Sequence, residues 1–176
     1  MRQTRPGRGE YLEYYGKYVE KVGDGDIVET LRAQLTETVA LFSGIPEAQA
    51  GHRYAEGKWS IRQVLGHIAD VERAMSYRAL TFARGDETGL PGFDENLWAV
   101  NAGSDERTLA SLLEEFRAVR EATIALFDGM TAQGWAGSGE ANQAYVTVRA
   151  LAWIIAGHEQ HHCRLIRERY LAPQTA

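Results

Sequence analysis

The chain has a single cysteine, Cys163, so no disulfide can close within it and its expected setting is a reducing compartment. Proline is scarce too: Pro6, Pro46, Pro91 and Pro173 are all there is, and long uninterrupted segments lie between them. No window approaches the roughly 18 consecutive apolar residues of a membrane-crossing helix, so no membrane partner is expected. Arg2, Arg5 and Arg8 have no apolar stretch behind them, which does not read as a secretory signal, and the expected location is the cytoplasm. Basic charge is in deficit, with 19 Lys and Arg against 24 Asp and Glu for a net charge of −5. A nucleic-acid binder needs a basic face to displace phosphate counterions, so no nucleic-acid partner is expected either. What remains is ordinary for a globular protein: 44% apolar and 24% charged over 176 residues, enough for one well-buried domain.

Four segments carry helical periodicity, and none shows convincing strand alternation. The first starts at Asp26, with Glu29 placed for a capping box; Val28, Leu31, Leu35, Val39 and Phe42 form its stripe, and Gly44 with Pro46 stops it. The second starts at Ser60, again with capping-box spacing to Gln63, and runs towards Gly85 on Ile61, Val64, Leu65, Ile68, Val71, Met75, Ala79 and Phe82. The third is expected from Glu106 to about Phe127 and the fourth from about Thr147 to Tyr170. A Gly-, Asp- and Asn-rich loop, Asp86 to Ser104, joins the second to the third, and Met130 to Tyr145 forms another long connection. Connections of this length inside a domain commonly serve function. The pattern predicts an all-α four-helix bundle over residues 26–172. Residues 1–25 form an arm or short extra helix carrying Tyr11, Tyr14, Tyr15 and Tyr18. The long crossover loop between helices two and three lets those two run parallel.

The histidines separate by position. On the fourth helix, at about 100° per residue, His158 and His162 share a direction with Leu151, Ile155 and Leu165 and sit at the centre of the apolar stripe. His67 lies among Val64, Ile68 and Val71 at the flank of the second helix's apolar face. Three imidazoles are thus expected to enter one interior from two helices. A lone core histidine is ordinarily satisfied by a carbonyl or a water, but an unpartnered buried ring costs about 1–3 kcal/mol. A divalent metal takes neutral imidazole nitrogens as natural ligands and removes that cost. His161 falls at the stripe's edge and His52 in a loop, so neither shares the geometry. Cys163 points off the core direction, a small half-buried residue rather than a fourth ligand.

The run His158-Glu159-Gln160-His161-His162 also fits the H-E-x-x-H pattern of zinc peptidases. Those enzymes take a third ligand downstream, and the fourteen residues after His162 hold no histidine and one carboxylate, Glu168, which disfavours that reading. Three segments stand out in order and separation: W-S-I-R-Q-V-L-G-H-I-A-D at Trp59 to Asp70, Y-R-A-L-T-F-A-R-G-D-E-T-G-L-P-G-F-D-E at Tyr77 to Glu95, and G-H-E-Q-H-H at Gly157 to His162. Together they resemble the DinB-like (DinB/YfiT) superfamily of proposed metalloenzymes, over about Asp26 to Tyr170. The resemblance implies an up-down-down-up bundle. It also implies a divalent metal ion, zinc or nickel, held by one histidine of the second helix and two of the last: His67, His158 and His162. A low-molecular-weight thiol is a further implied cofactor, because similar proteins include thiol-dependent transferases and isomerases.

The expected function is metal-dependent transfer or hydrolysis of a small-molecule substrate, with a small thiol or water activated at the three-histidine site. The alternative is a non-enzymatic metal-binding or assembly bundle, in which the N-terminal tyrosines mark a homodimer contact or pack back on the bundle. Substrate is expected to enter beside the two long loops. Glu159, about 100° round the helix from His158, reads as a carboxylate behind the ligands or on the surface. Asp94 reads as a pocket residue or a turn former, and Arg78 as the partner of an anionic substrate or of acidic neighbours. No catalytic residue beyond the ligands is assigned.

Overall fold

Residues 2–172, described by a computed structural model, form α1 (Gly16–Val19), α2 (Ile27–Ser43), α3 (Ile61–Ala83), α4 (Glu95–Asn101), α5 (Leu109–Asp128), α6 (Ala132–Trp135) and α7 (Val148–Leu165). A hairpin of β1 (Ser138–Ala141) and β2 (Ala144–Thr147) precedes α7, which continues as a π turn over Ile166–Tyr170. Pro173 lies outside the described residues.

Local chemistry starts each long helix. Ser60 and Gln63 make the expected reciprocal cap on α3, each side chain accepting from the other's amide at 3.0 Å. Asp26 caps α2 by accepting from the Val28 amide at 2.9 Å, but the bond expected from Glu29 is not made. The second Asp26 oxygen takes Arg2 at 2.6 Å, and Glu29 faces Arg32 at 3.5 Å. The third long helix starts later than Glu106. Ser104–Glu106 is a separate 3-10 turn after Gly103 at φ 64°, Arg107 is extended, and Thr108 caps α5 through the Ser111 amide at 3.1 Å. Thr147 caps α7 through the Ala150 amide at 3.0 Å.

Cross-helix bonds give the directions. Gln34 donates to the Ala156 carbonyl at 3.0 Å and Thr38 meets Cys163 at 3.2 Å, so α2 and α7 run parallel. Glu72 holds Arg120 at 2.8 Å and Ser76 meets Thr123 at 3.0 Å, so α3 and α5 run parallel as the crossover loop predicts. Arg32 at the start of α2 reaches Asp128 at the end of α5 at 2.8 Å, so that pair is antiparallel. His67 near the start of α3 meets His158 and His162 towards the end of α7, so that pair is antiparallel too. The order is up-down-down-up, with α2 and α3 each packed between α5 and α7.

The β-hairpin corrects the expectation of a strandless chain. Asn142 and Gln143 turn at φ 56° and 61°, both left-handed, as a tight two-residue hairpin loop requires. Leu90 of the crossover loop adds to its edge: its amide donates to Glu140 and its carbonyl accepts from Asn142, each at 2.9 Å. The loop also holds α4, whose cap is Asp94, bonded to the amides of Asn96 and Leu97 at 2.9 and 3.0 Å. Asp94 is thus a helix cap, not a pocket group.

The N-terminal segment packs back as a strap along α7. Glu10 takes Arg149 and Thr147, and α1 lays the Tyr18 backbone directly on Gly157, where a Cβ would collide with the Tyr18 carbonyl. Only glycine permits that approach. Gly157→Ala is expected to lift residues 8–22 from α7 and to cost about 1–3 kcal/mol. Hydrogen exchange checks this: amides of Tyr18 to Val22 should lose protection while those of α3 and α5 keep theirs, and uniform protection in the variant would refute the account.

Two apolar clusters fill the ends of the bundle, one around Leu31, Phe82, Phe127 and Trp153, the other around Phe42, Leu65, Phe116 and Ile166. Between them lies a buried polar layer. On one side it holds Glu72, Arg120 and Glu159; on the other it holds the three histidines singled out by the sequence.

Candidate metal centre

His67 sits two turns into α3, and His158 and His162 stand one turn apart on α7, so helix geometry alone aims all three at the α3–α7 seam. Their Nε2 atoms converge: His67 to His158 is 3.1 Å and His162 to His158 is 3.2 Å. The rings are buried, at 6%, 6% and 7% exposure. Burial, with a smaller push from His161, lowers His67 to about 4. Burial and the neighbouring histidines hold His158 and His162 well below the usual imidazole range. The rings are therefore neutral at physiological pH. Neutral imidazole has one ring donor, so three Nε2 atoms meeting at one point cannot all be satisfied by one another.

The donor set fits a divalent ion. Nitrogens bound at about 2.0–2.1 Å to a single ion stand roughly 3.0–3.4 Å apart, and the two separations from His158 fall in that range. Each of the three offers a ligand atom within 4.8 Å of the others. Two rings brace the cluster: the Trp59 centroid is 4.5 Å from His67, and Tyr18 meets His158 edge-on at 5.3 Å.

The cluster forms one wall of a cavity of about 450 Å3. Met75, Val71 and Ile154 give it an apolar wall, and Phe93, Glu95 and Asn142 come from the two long connections, as expected. The strap is the unexpected contributor. Leu12, Tyr14, Tyr15 and Tyr18 line the cavity, so these tyrosines pack against the bundle and shape the site. Their spacing marks one aromatic face, but nothing in the sequence says that the face closes a cavity; Trp59 is likewise legible only as part of a motif.

The other singled-out residues lie elsewhere. His161 packs edge-on against Tyr18 at 5.6 Å, and His52 lies 6.1 Å from Tyr170. Cys163 is buried rather than half-buried; burial and the Glu159 charge push its thiol up to about 12, so it is protonated and off the cluster. Glu159 is neither at the surface nor behind the ligands. It is buried against α2 and α5, accepting from Thr38 and lying 3.7 Å from Arg120. A peptidase of H-E-x-x-H type needs that carboxylate beside the reacting water, so its placement works against the peptidase reading. Among the described residues Arg78 pairs with no acid: it donates to the Pro91 carbonyl at 2.8 Å and lies over the Phe93 ring.

Bundle order and histidine placement together define a class, four-helix bundles in which a neighbouring antiparallel pair leaves a histidine cluster open to a cavity. The family model described as the DinB superfamily matches residues 30–166, and the chain belongs to that superfamily. A curated protein of Oceanobacillus iheyensis named "Putative metal-dependent hydrolase" is 31% identical over 152 residues, 80% of this chain and 79% of that protein. A protein of Geobacillus thermodenitrificans with the same name is 29% identical over 133 residues, 70% of each. Among solved structures, YfiT from Bacillus subtilis is described as a probable metal-dependent hydrolase with an unusual four-helix bundle topology. It matches with a TM-score of 0.69 at 20% identity, covering 94% of this chain and 91% of its own. A mycothiol-dependent maleylpyruvate isomerase matches with a TM-score of 0.66 at 15% identity, and the match spans 78% of this chain and 58% of that one.

Proposed function

We propose that the protein is a metal-dependent hydrolase in which His67, His158 and His162 hold one divalent ion, zinc or nickel, at the floor of the cavity. The observation that carries this reading is the convergence of three neutral Nε2 atoms on the cavity side of the α3–α7 seam. An ion held there supplies Lewis acidity and brings the pKa of a water or small thiol beside it towards neutrality. The chain's own residues do the rest. Burial keeps the imidazoles unprotonated, Trp59 and Tyr18 fix the orientation of two of them, and the wall of Val71, Met75 and Ile154 excludes water around a small-molecule substrate. An ion that merely fastened helices together would be enclosed by its ligands, whereas this cluster faces open space, which favours an enzyme over an assembly bundle.

Transfer from a low-molecular-weight thiol is the second reading. Any thiol would have to come from outside, because Cys163 is buried and protonated. No helix of the described residues is long and apolar enough to cross a membrane, and the free cysteine suits the cytoplasm. The test is metal analysis on tag-free protein purified without nickel resin, followed by hydrolysis of activated esters and by thiol transfer, before and after chelation. About one divalent ion per chain is expected, with turnover lost on chelation and restored by one equivalent of ion. Folded protein that neither holds nor takes up an ion would overturn the reading.

A further inference from the structure

Arg78 is buried, yet among the described residues no carboxylate pairs with it. A guanidinium taken out of water without a countercharge is costly, so the contacts it makes instead define its role. Its Nη2 donates to the Pro91 carbonyl at 2.8 Å, its Nη1 to the Met75 sulfur at 3.5 Å, and its centre lies 5.4 Å from the Phe93 ring centre. It also faces the half-buried Tyr15. Burial raises that phenol's pKa, and the charge of Arg78, with a hydrogen bond donated by it, opposes the rise. Met75, Phe93 and Tyr15 all line the cavity, one each from α3, the crossover loop and the strap, whereas Arg78 does not. One buried cation thus stands behind the wall where three segments meet.

That wall lies away from the histidines. His67, Val71 and Met75 line the cavity on successive turns of α3, so Met75 stands about 12 Å along the helix from His67. Tyr15, Met75 and Arg78 meet again around a small recess behind the cavity, which no histidine lines. A phenol that accepts from a guanidinium keeps its own O–H to give. The Tyr170 hydroxyl donates to the Trp59 carbonyl at 2.8 Å, but for the Tyr15 hydroxyl no acceptor is found among the described residues. The other two phenols are placed differently: Tyr14 holds Lys17 at 3.7 Å from its ring centre, and Tyr18 packs edge-on against His158 at 5.3 Å. Charge decides what the Tyr15 proton meets. Arg78 behind the wall and Glu95 in the lining have opposite signs and both act on that phenol, so this end of the cavity favours neither an anion nor a cation. What remains is an O–H dipole strengthened by the guanidinium behind it, set among apolar side chains.

We propose that Tyr15 is the cavity's specificity-determining donor, that Arg78 is its positioning residue, and that the substrate sets a neutral carbonyl oxygen on the Tyr15 hydroxyl, about two helical turns from its reacting group at the histidines. The reacting end rests on the hydrolase reading; the carbonyl seat rests on its own geometry. Saturation-transfer NMR titrations compare acetophenone with α-methylstyrene, in which a methylene group of similar shape replaces the carbonyl oxygen. Wild type, Tyr15→Phe, Arg78→Gln and the double variant are each titrated metal-free and after addition of zinc, with metal content determined on the same samples. The ketone-to-alkene affinity ratio is expected to fall about tenfold in Tyr15→Phe, because the buried carbonyl loses its donor, while alkene binding stays unchanged. Arg78→Gln keeps an amide donor for the Pro91 carbonyl and removes the charge. It should lower the same ratio, and the double variant should match Tyr15→Phe, since Arg78 acts through that hydroxyl. A ratio that moves less than about twofold in Tyr15→Phe overturns the seat. Equal weakening of ketone and alkene in Arg78→Gln, or its failure to fold, makes Arg78 a packing group and overturns the positioning role. A ratio that depends on Tyr15 in protein that takes up no metal overturns the hydrolase reading and leaves the seat standing; bound metal with an unmoved ratio does the reverse.

Discussion

Arg120→Leu is expected to destabilise the protein by about 3–5 kcal/mol at neutral pH, a fall in Tm on the order of 10 °C for a chain of this size. Arg120 is fully buried and donates to both oxygens of Glu72 at 2.8 Å, while Glu159 lies 3.7 Å from it. It also donates to the Leu31 carbonyl at 3.3 Å, tying α5 to α2 as well as to α3 and α7. Leucine leaves two carboxyl groups in the interior with no countercharge, and that desolvation is the main cost. Replacing Glu72, Arg120 and Glu159 together with leucine should recover most of the loss, since the attraction and the desolvation penalty leave together.

The pH dependence has a definite sign. Burial raises the Glu159 pKa above the ordinary 4.5, with Arg120 and Thr38 opposing it. Without Arg120 it rises further. A carboxyl whose folded pKa exceeds its unfolded value takes up a proton on folding, so its stability contribution is lost as pH rises and regained as pH falls. The gap between wild type and Arg120→Leu should therefore narrow between pH 7 and pH 5. Urea titrations at both pH values measure it, and a gap that stays constant would mean that lost packing, not charge, sets the cost.

This layer is the part of the fold least legible in the sequence. Periodicity gives no reason to bury Glu72, Arg120 or Glu159, because a charged residue on an amphipathic helix defaults to solvent and only pairing across three helices reverses that. The four long helices were legible because stripe and cap agree, as at Ser60 with Gln63. Where the cap is ambiguous the boundary slips, as between Glu106 and Thr108. The hairpin escaped because its strands have four residues each, include Gly139 pressed on the Phe82 ring, and turn on Asn-Gln rather than Asn-Gly. The histidines were legible because i, i+4 spacing at the centre of a stripe survives any detail of packing. The cavity wall was not, because the strap reaches it through a backbone contact at Gly157 that leaves no sequence pattern.

His67→Ala, His158→Ala and His162→Ala are each expected to reduce metal content from about one ion per chain to a small fraction, with helical circular dichroism largely kept. Glu159→Gln should leave metal content unchanged, since that carboxylate faces Arg120 and not the cluster. The pH profile of metal uptake separates a buried site from a surface one. Three solvated imidazoles with pKa near 6.5 would lose affinity steeply below that pH, as protons compete at each nitrogen. Here burial lowers His67 to about 4 and holds His158 and His162 well below the usual range, so no protons need be displaced near neutrality. Affinity should stay flat from pH 8 to pH 6 and fall only towards pH 4. The same depression has the opposite sign for the metal-free fold. The unfolded chain takes up protons below pH 6.5 that the folded cluster refuses, so metal-free protein should lose stability as pH falls from 6.5 towards 4. Competition titrations with a chromogenic chelator across that range decide the matter: affinity that drops with a three-proton slope from pH 6.5 would mean that the imidazoles are solvated and that the bundle does not bury them as a preformed, unprotonated set.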